Sequence, residues 1–202
     1  IPPGVPARSN GEGPLITTIG RLSEQKGQHV LLKAVPLVLK EFPTARFQII
    51  GQGHLEAALR EQAAHLGIAD RVHLVGMRDD IPAVLGASDI FVLPSLWEGL
   101  PVSAIEAMAA ARPVVLSDVG GVGDLVTSGV DGMLVPPNDV NRLAEALNAL
   151  LADPAQRAAM GASARQRACS EFDMALFTAR HEQLYLELAG RRRLAEQPSV
   201  AP

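Results

Sequence analysis

Cysteine, aromatic residues and long apolar runs are all scarce in this sequence. A single cysteine, Cys169, among 202 residues excludes an internal disulfide framework and a cysteine-based zinc site. Aromatic residues make up only 3%, with one Trp and one Tyr, which argues against a stacking platform for single-stranded nucleic acid. No apolar run approaches the roughly 20 residues that span a bilayer. With so little cysteine, a reducing cytoplasm is the expected compartment.

Positive charge is also in short supply, with 18 Lys and Arg against 22 Asp and Glu. The net charge of −4 therefore leaves no electrostatic footprint for nucleic acid. The five histidines show no spacing typical of metal ligands. Hydrophobic residues, at 48%, are abundant enough to predict one sizeable domain with a packed core.

Short apolar strands alternate with helical patterns as far as residue 135, and only helical patterns follow. Apolar, β-branched runs predict strands, whereas apolar residues at helical spacing predict helices. The predicted strands are 15–19, 46–50, 72–75, 90–93, 113–117 and 132–135. The predicted helices are 30–42, 54–66, 81–86, 103–111, 140–151, 154–170 and 174–189.

This alternation implies right-handed βαβ units. We therefore expect an α/β fold: a Rossmann-like, doubly wound parallel sheet of about six strands with helices on both faces, plus C-terminal helices. Residues 1–14 are rich in Pro and Gly and are predicted to form a linker. Residues 15–190 form the predicted domain, and the charged residues 191–202 a flexible tail.

The loop after the first predicted strand carries two cations between two glycines. Gly20 and Gly27 bracket Arg21 and Lys26 directly before a helix. Arg supplies a planar fork for phosphate oxygens and Lys a compact charge, so the pair would neutralise a diphosphate. A turn with solvated basic residues fits this loop equally well when the loop is taken alone.

The loops after the second and third strands are rich in glycine. Gly51 and Gly53 allow close approach of a ligand to the backbone, but a tight strand-to-helix turn is the better interpretation. They do not form the full dinucleotide fingerprint. The loop around Gly76 and Met77 offers backbone groups to the edge of a base, which is a weak signal alone.

Two glutamates frame the segment that follows the fourth strand. Glu98 lies in a strand-to-helix loop and Glu106 early on the next helix. In an open α/β sheet, ligands bind at such loops, and free N–H groups at the helix start attract anions. The N–H groups of Leu100, Val102 and Ser103 have that position. A nucleotide sugar, with phosphates at one end and hydroxyls at the other, would suit the site. An exposed helical carboxylate is the alternative for Glu106 alone.

These motifs, taken in order, resemble the C-terminal, donor-binding domain of family 4 (group 1) retaining glycosyltransferases of GT-B architecture. The two glutamates stand eight positions apart, in the family's E-x7-E arrangement. One departure is Gly123-Asp124, which stands where the family often has Pro-Glu, so Asp124 is given no role. The resemblance covers about residues 1–189 and rests on these segments: Gly20-Arg21-Leu22 with Lys26-Gly27, Gly51-Gln52-Gly53, Val75-Gly76, Pro94-Ser95, Glu98-Gly99-Leu100-Pro101, Glu106-Ala107, Gly120-Gly121 and 131–135.

The resemblance implies a role for each matching residue. Arg21 and Lys26 would bind the donor diphosphate and stabilise the leaving group. Glu98 would hold the hydroxyls of the donor sugar, and Glu106 would bind the ribose. A metal is not expected, because the two cations and the helix N–H groups would provide the positive charge. The implied substrate-binding set is Gly20, Gly51, Gly53, Val75, Gly76, Met77, Gly99, Leu100, Pro101, Val102 and Glu106.

The resemblance also implies a missing partner, the N-terminal domain that binds the acceptor. The chain begins with Ile1, and residues 1–14 resemble an interdomain linker remnant, so we expect half of a transferase. The full enzyme would be cytoplasmic, and a peripheral membrane association fits the family. The helix 174–189 would pack partly against the missing half or leave an exposed apolar stripe.

Three other functions remain open at this stage. A non-catalytic nucleotide-sugar-binding module would share the loops without needing an acceptor domain. A GT-B-type sugar-nucleotide epimerase would share the architecture. A dinucleotide oxidoreductase is disfavoured, because G-x-G-x-x-G does not follow the first strand.

Overall fold

Six strands alternate with helices in the computed structural model, which describes the backbone of residues 13–195 and the side chains of residues 13–189. The strands are β1 (Leu15–Ile19), β2 (Arg46–Ile50), β3 (Val72–Gly76), β4 (Ile90–Leu93), β5 (Val114–Ser117) and β6 (Met133–Val135). The helices are α1 (Gln28–Glu41), α2 (Glu56–His65), α3 (Ile81–Ala87), α4 (Val102–Ala109), α5 (Val122–Leu125), α6 (Val140–Ala152), α7 (Pro154–Glu171) and α8 (Met174–Ala195).

All six strands are parallel and lie in the order β3-β2-β1-β4-β5-β6. The strand order reverses between β1 and β4, so the loops that leave these two strands lead to helices on opposite faces of the sheet. A crevice opens at such a point, outside the carboxyl ends of the strands. The predicted α/β fold with a doubly wound parallel sheet is confirmed.

The central strands are buried on both faces because helices cover each of them. Every residue of β4 and β5 is buried, which explains their almost continuous apolar sequences. One core layer packs β1 and β2 against α1, α2 and α6. The second layer packs β4 and β5 against α3, α4, α5 and α7. This rigid support fixes where each loop leaves the sheet.

Several predicted boundaries were wrong, and two short elements were missed. β1, β2 and β4 have the predicted bounds, but α1 begins two residues earlier than expected, directly after Gly27. The 3₁₀ turn Glu24–Lys26 and the four-residue α5 were not predicted. α8 continues to Ala195, so the predicted helix end at residue 189 is wrong, and residues 191–195 of the predicted tail are helical. The rest of that tail, and residues 1–12 of the predicted linker, lie outside the described residues.

Candidate functional site

The loops after β1, β2 and β3 are joined through their backbones at one edge of the sheet. Gly20 N donates to Ile50 O at 3.0 Å, and Gly51 N donates to Gly76 O at 2.9 Å. Leu22 N donates to Gln52 O at 2.9 Å, which fastens the first loop to the second. The predicted glycine loops are therefore neighbours in space.

The glycines of the second loop are required by close backbone packing. Gly51 has φ +138°, and a Cβ there would lie 2.0 Å from Gly20 O. A Cβ at Gly53 would lie 2.1 Å from Leu22 O. These contacts favour the tight-turn interpretation, and a role of Gly51 and Gly53 in substrate binding stays a prediction. Gly76 differs, because it has φ +82° and open space around its Cβ position.

Lys26 and Glu98 form an ion pair across the point where β1 and β4 diverge. Lys26 Nζ donates to Glu98 Oε1 at 2.5 Å. The Glu98 side chain is 6% exposed and that of Lys26 is 18% exposed, so the pair is largely withdrawn from water. Ser95, a buried residue, donates its hydroxyl to the same Oε1 at 2.7 Å. Two of the three predicted catalytic residues thus meet in the structure.

The backbone around this pair is fixed by contacts between the β1 and β4 loops. Leu96 N donates to Gln25 O at 2.7 Å, and Gln25 Nε2 donates to Trp97 O at 3.1 Å. Gly27 has φ +62°, and a Cβ there would lie 2.0 Å from Pro94 O. Only glycine allows this approach, so the 3₁₀ turn that carries Lys26 is held against the loop that carries Glu98.

The β5 loop closes over the other side of Glu98. Gly120 has φ +52°, and a Cβ there would lie 2.1 Å from Glu98 O. A Cβ at Gly121 would lie 3.0 Å from Gly99 O. The Glu98 backbone is therefore packed from both the β1 side and the β5 side, which limits its freedom to move.

Arg21 lies in the same loop as Lys26 but forms no hydrogen bond or ion pair with Lys26 or Glu98. Its side chain is exposed and forms no hydrogen bond or ion pair within residues 13–189. Its backbone carbonyl accepts from Gln28 Nε2 at 2.9 Å, so only the main chain is anchored. The guanidinium is free to reorient toward an anion bound near the carboxyl ends of the strands.

The start of α4 leaves backbone donors at this edge. Ala104 N and Ile105 N both donate to Pro101 O, so the bonds of the helix begin after Val102 and Ser103. Leu100 and Val102 are 55% and 64% exposed, unusual values for apolar side chains beside a buried strand. They lie next to or at the start of α4, where the anion site is predicted. Val75 near the end of β3 and Met77 directly after it are also exposed, but they belong to the predicted base-binding segment.

Glu106 takes no part in the ion pair, and the cavity that it borders is lined by neither Lys26 nor Glu98. It lies on α4 beside a cavity of about 470 Å³ between α3, α4 and α7. Partial burial raises the pKa of the Glu106 carboxyl above its ordinary value. The side chain makes no hydrogen bond or ion pair within residues 13–189. A ribose-binding role for Glu106 stays a prediction.

Sequence reasoning missed the side chains that support the predicted residues. Ser95 belongs to one of the matching segments and Gln25 lies in the loop after β1, but neither was given a function. Glu24 and His54 join the β1 and β2 loops, with His54 Nε2 at 3.1 Å from Glu24 Oε2. Backbone hydrogen bonding, and then the bond to His54, lower the pKa of the Glu24 carboxyl. The available signal for this pair was that both residues lie in loops that follow adjacent strands, β1 and β2.

Within residues 13–195, no group of three or more His, Cys, Asp and Glu has the arrangement of a metal site. In the same part of the chain, every helix is too short or too polar to cross a bilayer.

Known proteins resemble this chain along most of its length. Residues 6–167 match the family of glycosyl transferases group 1. A glycogen synthase of Mycobacterium tuberculosis is 35% identical over 197 residues, which are 96% of this chain and 47% of that protein. A GDP-mannose-dependent alpha-(1-6)-phosphatidylinositol monomannoside mannosyltransferase of Mycolicibacterium smegmatis is 33% identical, over 90% of this chain and 49% of that protein. The chain thus spans about half the length of these curated relatives.

Solved structures show the same architecture. The HepE protein of Anabaena in complex with UDP superimposes with a TM-score of 0.81 and 28% identity, over 89% of this chain and 49% of that one. The C-terminal domain of the group 1 glycosyl transferase LpcC from Francisella tularensis gives a TM-score of 0.73. At 22% identity, over 80% of this chain and 87% of that one, it supports the fold alone. With the family match and the relatives above 30% identity, the chain belongs to the glycosyl transferases group 1, and its sheet is the Rossmann-like domain of a GT-B architecture.

Proposed function

We propose that this chain is the donor-binding half of a retaining glycosyltransferase, which moves a glycosyl unit from a nucleoside diphosphate sugar to an acceptor. The observation that carries the proposal is the ion pair between Lys26 and Glu98, which lies at the crevice between β1 and β4. An ammonium and a nearly buried carboxylate there suit a ligand with phosphates at one end and hydroxyls at the other.

Lys26 can serve the diphosphate without releasing Glu98. An ammonium has three N–H donors, and one of them is used by Glu98 Oε1. Within residues 13–189 the other two make no hydrogen bond, so they would be available for phosphate oxygens. The exposed guanidinium of Arg21 adds a planar fork, and Val102 N and Ser103 N add neutral donors at the start of α4. Charge that develops on the leaving diphosphate would be stabilised by these groups.

Contacts to the sugar, the ribose and the base would arrange the rest of the donor along the edge of the sheet formed by the carboxyl ends of the strands. Glu98 would accept hydrogen bonds from the sugar hydroxyls, and Glu106 would bind the ribose. The open space at Gly76 and the exposed side chain of Met77 support a base lying against the β3 loop. We propose that the site works without a metal, because the cations and the helix donors already supply positive charge.

The acceptor half is also part of the proposal. The chain spans about half of its curated relatives, which supports a separate N-terminal domain for the acceptor. α8 supports the same arrangement, because it exposes a series of large apolar side chains that would pack against that domain: Met174, Phe177, Leu184, Tyr185, Leu186 and Leu188. We propose a cytoplasmic enzyme. The phosphatidylinositol mannoside named for one relative supports peripheral contact with a membrane.

Titration calorimetry with nucleoside diphosphates tests the donor site in this chain. The names of two relatives include UDP-Gal and GDP-mannose, so UDP, GDP and ADP form the panel. We expect weak binding of at least one, and about a tenfold loss in Lys26→Met, as for one charged hydrogen bond. Lys33→Met, on the exposed face of α1, is the matched control and should bind normally. No binding to any of the three would contradict the proposal.

Transfer itself is tested in a full-length protein that contains this chain. Glu98→Ala should reduce transfer much more than nucleotide affinity, because the carboxylate would contact the sugar and not the diphosphate. The anomeric configuration of the product, read by NMR, tests retention. Near-normal transfer by Glu98→Ala, or an inverted product, would refute the assigned role or the retaining reaction, respectively.

A further inference from the structure

Ser95 and Lys26 both donate to the same oxygen of Glu98. Ser95 Oγ lies 2.7 Å from Glu98 Oε1, and Lys26 Nζ lies 2.5 Å from it. The second oxygen, Oε2, makes no hydrogen bond within residues 13–189. The carboxylate is therefore held at one end only, and its other oxygen remains available to a ligand.

Two donors to one oxygen restrict the carboxylate more than one donor does. A single bond from the flexible Lys26 side chain would leave Glu98 free to rotate about its terminal bond. Ser95 is 1% exposed and directly follows the buried strand β4 and Pro94, so its short side chain has a fixed origin. The hydroxyl thus provides a rigid reference for the carboxylate, as a supporting hydrogen bond does for a binding group.

We propose that Ser95 is a positioning residue, which together with Lys26 holds Oε1 of Glu98 so that Oε2 accepts from a hydroxyl of the donor sugar. The inference rests on the proposed function, since it assigns a ligand to Oε2. It adds a residue that acts through Glu98 and does not itself contact the donor. Diphosphate binding would therefore be independent of Ser95.

Ser88 provides a matched control at the opposite end of the same strand. It is also 1% exposed, it precedes β4, and its hydroxyl donates to Val84 O at 2.8 Å. Ser88→Ala and Ser95→Ala each remove one buried, hydrogen-bonded hydroxyl beside β4. Only the second change is made next to Glu98.

The test is the ratio of two dissociation constants, that of a nucleoside diphosphate and that of the corresponding nucleotide sugar. UDP with UDP-glucose and GDP with GDP-mannose are titrated calorimetrically into the wild-type chain and each variant. In Ser95→Ala we expect the affinity for the nucleotide sugar, relative to that for the diphosphate, to fall about tenfold, as for the loss of one charged hydrogen bond. The affinity for the diphosphate itself should not change. Ser88→Ala should lower the melting temperature and leave the ratio unchanged.

Two further results would overturn the inference. Equal weakening of the diphosphate and the nucleotide sugar in Ser95→Ala would indicate a merely structural role. Full recovery in Ser95→Cys, which preserves volume but is a weak donor, would indicate packing and not hydrogen bonding.

Crystal structures of the unliganded variants test the inference without any nucleotide. We expect the Glu98 carboxylate to rotate away from its position in Ser95→Ala and to stay in place in Ser88→Ala. An unmoved carboxylate in Ser95→Ala would refute the positioning role. If Glu98 moves but the wild type binds no nucleotide, the proposed function fails while the dependence of Glu98 on Ser95 stands.

Discussion

Replacing Lys26 with Met should destabilise the unliganded chain because it leaves a buried charge without its partner. Met retains an unbranched stem and removes the ammonium. The Glu98 side chain, 6% exposed, would then have the Ser95 hydroxyl as its remaining donor within residues 13–189. Breaking a fully buried ion pair costs about 3–5 kcal/mol. Lys26 is 18% exposed, so water can partly replace it, and we expect about 2 kcal/mol.

Thermal and urea unfolding, followed by circular dichroism, measure this loss. For a chain of this size, about 2 kcal/mol corresponds to a fall of about 4–8 °C in melting temperature. The double variant Lys26→Met/Glu98→Gln should recover most of it, because a neutral amide does not need a cation. Lys33→Met, which changes an exposed lysine on α1, should stay within about 0.5 kcal/mol of the wild type.

Two results would refute this reasoning. If Lys26→Met unfolds at the wild-type temperature, the buried charge of Glu98 does not depend on Lys26 for its stabilisation. If the double variant is less stable than the single one, the cost comes from lost packing of the lysine stem and not from an unpaired charge.

Three further predictions concern backbone packing and pH. Gly120→Ala should lower the free energy of unfolding in urea by about 3 kcal/mol, because its Cβ would clash with Glu98 O. Gly129→Ala, at φ +84° with open space around its Cβ position, should lower it by about 1 kcal/mol. Equal losses would contradict the clash. The hydrogen bond from Arg78 lowers the pKa of the Asp80 carboxyl, so its contribution to stability is present above the unfolded pKa and is lost as pH falls. Arg78→Gln should therefore reduce the acid dependence of the melting temperature, and an unchanged pH profile would contradict this. Burial raises the pKa of the Glu106 carboxyl, so its contribution is present below the unfolded pKa and is lost as pH rises through the folded pKa. Glu106→Gln should thus melt higher than the wild type at pH 7 but not at pH 4, and equal differences at both would argue against a titrating carboxyl.

The buried strands were predictable because burial on both faces demands an uninterrupted apolar run. The sequence of β4 has that pattern, and its bounds were predicted correctly. α5 was missed because four residues after two glycines are too short to show a helical period. The end of α8 was missed because the arginines after residue 190 suggested a tail, although arginine is a good helix former.

The approach of Lys26 and Glu98 was partly predictable and partly not. Both residues follow strands that lie side by side in a doubly wound sheet, so a shared edge was expected. Their direct ion pair depends on the 3₁₀ turn before α1 and on Gly27 packing against Pro94 O, neither of which has a distinctive sequence pattern. Ser95 had no signal of its own, because a single serine in a loop serves many structural purposes.

The four charged residues of the predicted site differ in how far the fold positions them before a ligand arrives. Lys26 and Glu98 are joined to each other, and their loops are fastened by the bond from Leu96 N to Gln25 O. Arg21 and Glu106 have no such support within residues 13–189. Immobilising an arginine side chain costs about 2 kcal/mol of rotamer entropy, so Arg21 would give back part of its attraction on binding. The preformed pair would therefore determine where a donor sugar lies, whereas Arg21 and Glu106 would be ordered by the ligand itself.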